Sequence, residues 1–210
     1  MVADRRGASG GGGLQDTAAD PARGGHHVPV DVRSRTWKIP LRLPTPEKVK
    51  RAFELAQAGK EKEKENETEW TFAKETVLLD AMAKVRPEVE VEVQAVQVGP
   101  VVLVSNPSEY FVQYGLDIKK GSKFPFTFPV ELANGCTGYV PTEEAFGPNG
   151  GGYETRLTSY SNLEVSAGRQ FAETGIELAN QMTPGPALEP PPAPPFRGPW
   201  LYGNLPPELK

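Results

Sequence analysis

An α/β chain with a mixed sheet and packed helices is what the sequence predicts, and three observations carry that expectation. Helical periodicity runs over residues 44–59 and 70–85, strict alternation over 88–98, and short apolar or aromatic runs around 101–105 and 124–134 are each followed by punctuation. Helical and strand patterns alternate along the chain, so a layered α/β architecture is expected with at least three strands and about four helices.

The elements are taken in chain order. In "PTPEKVKRAFELAQAG", Thr45 is an N-cap candidate, Pro46 suits the first helical position, Glu47 the first turn and Gly59 the end. The charge-alternating "KEKEKENETE" reads as a solvated helix extension or loop. "WTFAKETVLLDAMAKV" places Trp70, Ala73, Val77, Ala81 and Val85 toward one side of a second helix, as a core stripe. The period then falls to two in "EVEVEVQAVQVG", where Val89, Val91, Val93 and Ala95 or Val96 alternate with Glu88, Glu90, Glu92 and Gln94, a strand with one wet face. "GPVVLVSNP" is continuously apolar and suits a strand buried on both faces, joined to its predecessor through Gly99-Pro100 as a hairpin.

Ser108 then stands where it can cap a helix over "SEYFVQYGLDIKKGS", with Tyr110 or Phe111, Tyr114 or Gly115, and Ile118 inward and Gly121 at the end. "FPFTFPVELAN" reads as a further strand whose two prolines favour an edge or bulge. "EVSAGRQFAETGIELANQM" supplies a last amphipathic helix through Phe171, Ile176, Leu178 and Met182. Flanking this region, residues 1–27 are rich in Gly, Ala and Asp and read as a disordered leader, with a core over 28–183 and a proline-rich tail over 184–210. The tail carries Trp200, Leu201 and Tyr202, which can dock onto the domain or onto a partner.

Composition narrows the function classes. The 210 residues carry a formal net charge of -4, with no basic stripe interleaved with aromatics, so nothing points to a nucleic-acid partner. Cys136 is the only cysteine, which excludes an internal disulfide and an all-cysteine zinc cage; it reads as a small buried hydrophobe. No run reaches the roughly 20 apolar residues of a membrane span, and the N-terminal stretch lacks an apolar signal core, so no compartment is assigned.

Functional groups in layered α/β folds gather past the C-terminal ends of strands, and "VVLVSNPSE" and "VELANGCTGY" are two such ends. Glu109 lies past the first and Tyr139 past the second. The bland reading of Glu109 is a carboxylate complementing a helix macrodipole, and that of Tyr139 and Tyr153 is amphipathic lining. The glycines of "ELANGCTGYVPTEEAFGPNGGGYET" exceed what a simple reversal needs, which suggests a close approach to that backbone.

The succession of a buried strand, a "P-x-E" helix start, a helix, an aromatic strand, "L-A-N-G-x-x-G-Y-V-P-T-x-E-A-F" and "G-G-Y-E" resembles the neutral ceramidases, in particular the bacterial neutral/alkaline ceramidase-like proteins. The resemblance runs from about Val30 to Met182 and is densest from Val101 to Thr155. It implies part of an α/β amidohydrolase domain that cleaves the amide of N-acylsphingosines with one zinc ion. By position, Glu109 and Tyr139 match two zinc ligands of that family, and Tyr153 matches a tyrosine that helps stabilise the oxyanion. Gly135, Gly138, Gly150, Gly151 and Gly152 would then give backbone clearance to metal and lipid.

The family's two zinc histidines come from an N-terminal half not found here. This sequence has only His26 and His27, adjacent in the leader, and its Ser108 stands where the family often has Gly. The "G-D-V-S-P-N"-type segment and the immunoglobulin-like domain of well-known members are also missing. Two readings of different class result. One is the C-terminal half of a zinc amidohydrolase, as a truncated product or as part of a split enzyme, inactive alone and completed by a histidine-bearing N-terminal half. The other is a non-catalytic remnant or a lipid- or protein-binding module on the same scaffold. Either way, a half-domain is expected to expose an apolar face and to self-associate.

Overall fold

The computed structural model describes residues 28–59, 64–187 and Glu208. The expected leader with its two histidines, and the tail from residue 188 onward apart from Glu208, lie outside these residues. Strand β1 (Val30–Pro40) leads to helices α1 (Pro46–Gln57) and α2 (Glu67–Val85), then to strands β2 (Glu88–Val98), β3 (Val101–Ser105) and β4 (Glu109–Tyr110). Helix α3 (Val112–Gly121), strands β5 (Phe126–Val130) and β6 (Tyr139–Val140), two 3-10 turns and helix α4 (Ala167–Asn180) complete the order. None of these helices is long and apolar enough to cross a membrane.

The main sheet has the order β1-β2-β3-β5, mixed as expected: β1 and β3 flank β2 antiparallel, and β5 lies parallel to β3 at the edge. That edge place explains how Pro129 is tolerated within β5, since a missing N–H costs nothing on an unpaired side. β1 pairs with β2 along their whole length, from Val30↔Val98 to Pro40↔Glu88. β1 itself escapes sequence reading, because Asp31, Arg33, Ser34 and Arg35 blur its alternation. Helices α1 and α2 form a hairpin set between β1 and β2, and its neck is closed where the Leu41 N–H donates to the Pro87 carbonyl at 2.9 Å.

Helix α1 begins as its sequence dictates: the Thr45 hydroxyl accepts from the Lys48 N–H and Pro46 holds the first turn. In α2 the expected stripe is rotated. Ala73, Thr76, Leu79 and Ala83 are buried, whereas Ala81 and Val85 face solvent. The long charged and apolar side chains are thus left at the rim, while small residues let α1 and α2 approach closely.

The core lies between the sheet and α4. Val91, Val93, Ala95, Val102 and Val104 point from the sheet toward Phe171, Leu178, Ala179 and Met182. Trp37 meets the edge of Phe171 with ring centroids 5.7 Å apart and donates to Gln170, while Arg35 forms a two-pronged pair with Glu177, so β1 is fastened to α4 by packing and polar ties together. β3 is buried on one face only, contrary to its continuously apolar sequence: Val102 and Val104 are covered, but Leu103 is exposed on the other side of the sheet.

Candidate functional site

The parallel strands β3 and β5 both end at one edge of the sheet, and the segments leaving them form the candidate site. Asn106, just past β3, accepts the Ser108 N–H on its Oδ1 at 2.8 Å, an Asx-type turn that bends the chain at Pro107. This corrects the expected role of Ser108 and Glu109. Ser108 does not cap a helix; α3 starts at Val112 after Phe111, which makes no side-chain cap. Ser108 is fully buried, and its hydroxyl bonds that of Thr137 at 2.6 Å. Glu109 belongs to β4, so a helix macrodipole no longer accounts for it.

β4 pairs parallel with β6, and in that register Glu109 stands directly beside Tyr139, and Tyr110 beside Val140. The pairing is held by the Glu109 N–H donating to the Gly138 carbonyl at 3.0 Å and the Phe111 N–H to the Val140 carbonyl at 3.1 Å. The Tyr139 N–H is taken by the Tyr160 carbonyl at 2.8 Å. Facing pairs on adjacent strands share a side, so the carboxylate and the phenol project together.

Tyr153 begins a 3-10 turn (Tyr153–Thr155) and meets the edge of Tyr139 at a centroid distance of 5.3 Å and an interplanar angle of 86°. Tyr160 meets Tyr139 at 6.2 Å and 79°. The three residues singled out in the sequence, Glu109, Tyr139 and Tyr153, are therefore neighbours, although they come from three separate segments. Tyr160 and Glu131 join them without a motif to mark them. The position of Glu131 directly after an aromatic strand is the available signal, while "TSYSN" gives none for Tyr160.

Two glycines of this stretch have a cause other than the one expected. A Cβ on Gly138, at φ +80°, would lie 2.0 Å from the Tyr160 carbonyl oxygen, and one on Gly150 would lie 2.1 Å from that of Ala145. At these two positions the close approach is by the protein's own backbone. Cys136 is exposed, which corrects its reading as a buried hydrophobe.

Acidic neighbours act on Glu131 and Tyr139, while Arg156 acts on Tyr160. The Glu131 carboxyl is pushed up by burial and by the charge of Glu109. The Tyr139 phenol is pushed up to about 12 by its hydrogen bond with Tyr153 and by the charge of Glu109, with Glu154 adding to it. Arg156, close by, is committed to Glu69 of α2 by two hydrogen bonds and lies over the Phe72 ring. Burial and then Glu131 also raise the Tyr110 phenol, and the buried Tyr110 hydroxyl and Asn106 Nδ2 have no hydrogen-bond partner. Tyr139 is thus tied first to Tyr153 and lies within reach of the charges of Glu109 and Glu154.

Tested against a zinc ion, the pair offers one donor of the usual zinc-ligand types, the Glu109 carboxylate, with Tyr139 next to it in the strand register. Among the described residues no group of three or more His, Cys, Asp or Glu could hold a metal ion. Among the described residues the fit to zinc is therefore partial. A cavity of about 260 Å³ borders the same wall, lined by the apolar Leu41, Met82 and Val89 together with Arg86, Ser159 and Tyr160. No family model, curated protein or solved structure matches this chain.

Proposed function

We propose that the chain supplies one wall of a zinc-dependent amidohydrolase site acting on a lipid amide, the activity implied by its resemblance to the neutral ceramidases. The observation that carries this reading is the β4–β6 register, which sets Glu109 beside Tyr139 with Tyr153 at its edge. Glu109 and Tyr139 would be the two oxygen donors, and the nitrogen ligands would come from a histidine-bearing N-terminal half. Zinc bound there would polarise an amide carbonyl and bring the pKa of a bound water to about 7.

The chain's own residues have separable duties in this scheme. Tyr153, half exposed beside Tyr139, is free to aim its O–H at a developing oxyanion, a contribution of about 3 kcal/mol in comparable sites. The backbone bonds of β4 and β6 hold Glu109 and Tyr139 in place before anything binds, so little ordering remains to be done. The cavity beside Tyr160 offers an apolar surface to part of an acyl chain.

The test is zinc content and amidase activity on N-acylsphingosine, measured for this chain alone and with a complementing histidine-bearing half. The chain alone is expected to be inert. The reconstituted pair is expected to hold one zinc, to lose it in Glu109→Gln and Tyr139→Phe, and to lose about 10²- to 10³-fold in kcat in Tyr153→Phe with zinc retained. A pair that assembles yet stays free of zinc and inert on N-acyl amides would sink the reading and leave a binding module on the same scaffold.

A further inference from the structure

The sheet has a second face, and among the described elements no helix packs on its apolar end. Alternation puts Val30 and Val32 of β1, Val96 and Val98 of β2, Val101 and Leu103 of β3, and Phe126 and Phe128 of β5 on the side away from α4. The registers Val30↔Val98↔Val101↔Phe126 and Val32↔Val96↔Leu103↔Phe128 make two complete apolar rows across four strands. Phe126 and Phe128 are 48% and 51% exposed. Beyond them the same face turns mostly polar, with Ser34, Gln94 and Ser105 in a row that ends on Val130, then Glu92 and Glu90. The apolar rows therefore sit at the β2–β3 turn, away from the strand ends that carry Glu109 and Tyr139.

The chain leaves α4 toward that apolar end. Gln97, on the α4 side of the sheet, donates to the Thr183 carbonyl at 2.7 Å, and two residues later the Gly185 N–H donates to the Gly99 carbonyl in the β2–β3 turn at 2.9 Å. The contact at Gly185 is close: a Cβ there would meet the Pro29 ring at 2.9 Å and the Gly99 backbone at 3.0 Å. The chain is thus led from the α4 side to the end of the sheet, where the apolar rows begin. Residues 188–210 continue from there as "LEPPPAPPFRGPWLYGNLPPELK", with Phe196, Trp200, Leu201, Tyr202 and Leu205 among prolines. Prolines lower the entropy lost when such a segment is laid down. At about 3.1 Å per residue, the stretch from Gly185 to Phe196 reaches roughly 30 Å, against a four-stranded face about 15–20 Å wide.

We propose that residues 188–210 dock in cis on this face, with Phe196 and the Trp200-Leu201-Tyr202 cluster covering the two rows from Val30 to Phe128. The inference is independent of the amidohydrolase reading, since it concerns the opposite end of the sheet. It also alters one expectation: a face covered by the chain's own tail would not drive self-association.

The test is tryptic cleavage after Arg197 in the full chain, followed by mass spectrometry, with light scattering and binding of an apolar dye in parallel. In the full chain, cleavage is expected to be at least tenfold slower than in a free peptide of residues 188–210, with a monomeric mass and little dye bound. Phe128→Lys, at a half-exposed site, and Trp200→Ala are each expected to restore fast cleavage and raise dye binding several-fold. Cleavage as fast as in the free peptide would overturn the proposal. So would a dimer that Phe128→Lys dissolves but Trp200→Ala does not, which would assign the face to a second copy. A monomer that binds dye strongly with the tail intact would assign it to a different partner.

Discussion

On the α4 side of the sheet the buried groups are almost all carbon: Val91, Val93, Val102 and Val104 against Phe171 and Leu178. At the β4–β6 wall they are Asn106, Ser108, Tyr110 and the backbone of Gly138, with the exposed Glu131 at their edge. The first region is held by the release of water from apolar surface, which is indifferent to direction and tolerant of small shifts. The second is held by directional bonds between segments far apart in sequence, and it retains two buried polar groups without partners. The difference separates what keeps the chain folded from what keeps Glu109 and Tyr139 together, so the wall can loosen while the rest of the chain stays folded.

The largest expected effect lies on the carbon side. Phe171 is 1% exposed and touches Trp37 edge-on, so Phe171→Ala leaves a cavity that its surroundings fill only in part. A loss of roughly 3–5 kcal/mol in denaturant unfolding is expected. The β4–β6 pairing should go only with the whole fold, so probes on Tyr139 and on Trp37 should report one common transition. A Tyr139 signal that vanished well before global unfolding in this variant would mean that the wall depends on α4 after all.

Gly138→Ala breaks the comparison from the other side. The added methyl meets the Tyr160 carbonyl, at a backbone angle that only glycine adopts easily, so β6 must move away from the 158–161 turn. The cost is about 1–3 kcal/mol. Its signature is local: amide exchange should speed up at Glu109, Phe111 and Tyr139, whose N–H groups are bonded across this wall. Amides of β2 paired with β1 and β3 should stay protected. Uniform loss of protection would show one cooperative unit in place of two regions.

This division also marks how far the sequence can be read. β2 is legible because its alternation of valine with Glu and Gln is undisturbed, α1 because Thr45 and Pro46 signal its start, and α4 because Phe171 and Leu178 keep helical spacing. The carbon-packed region writes itself into local periodicity. The wall does not. "NPSEY" reads locally as a helix cap, yet the Asn106 side chain claims the Ser108 N–H and the Gly138 carbonyl claims that of Glu109, so pairing with a distant segment overrides the local signal. The site residues Glu109, Tyr139 and Tyr153 emerge through a resemblance of motifs, and their juxtaposition through none of the periodicities. Glu131 and Tyr160 show the same limit, since neither matters until the chain has folded.

The smallest effect is a pH dependence confined to the wall. Glu131 has its carboxyl pKa raised above the ordinary 4.5, by burial and by Glu109. A folded-state pKa above the unfolded one means that the native chain binds the proton more tightly. Its contribution is therefore fully present below about pH 4.5 and is lost as the pH rises through the folded value. At neutral pH the ionised group is a small burden on the native state. Glu131→Gln removes it, so the variant should be slightly more stable than the parent at pH 7, with the difference shrinking to nothing as the pH falls below 4.5. Subtracting the two unfolding curves at each pH cancels every other titrating group except those coupled to Glu131. The same substitution takes away a negative charge that raises Tyr110, so the Tyr110 phenol should titrate lower in the variant, read by tyrosine-selective NMR. A variant less stable than the parent at pH 7 would mean instead that the ionised Glu131 is held by a favourable partner.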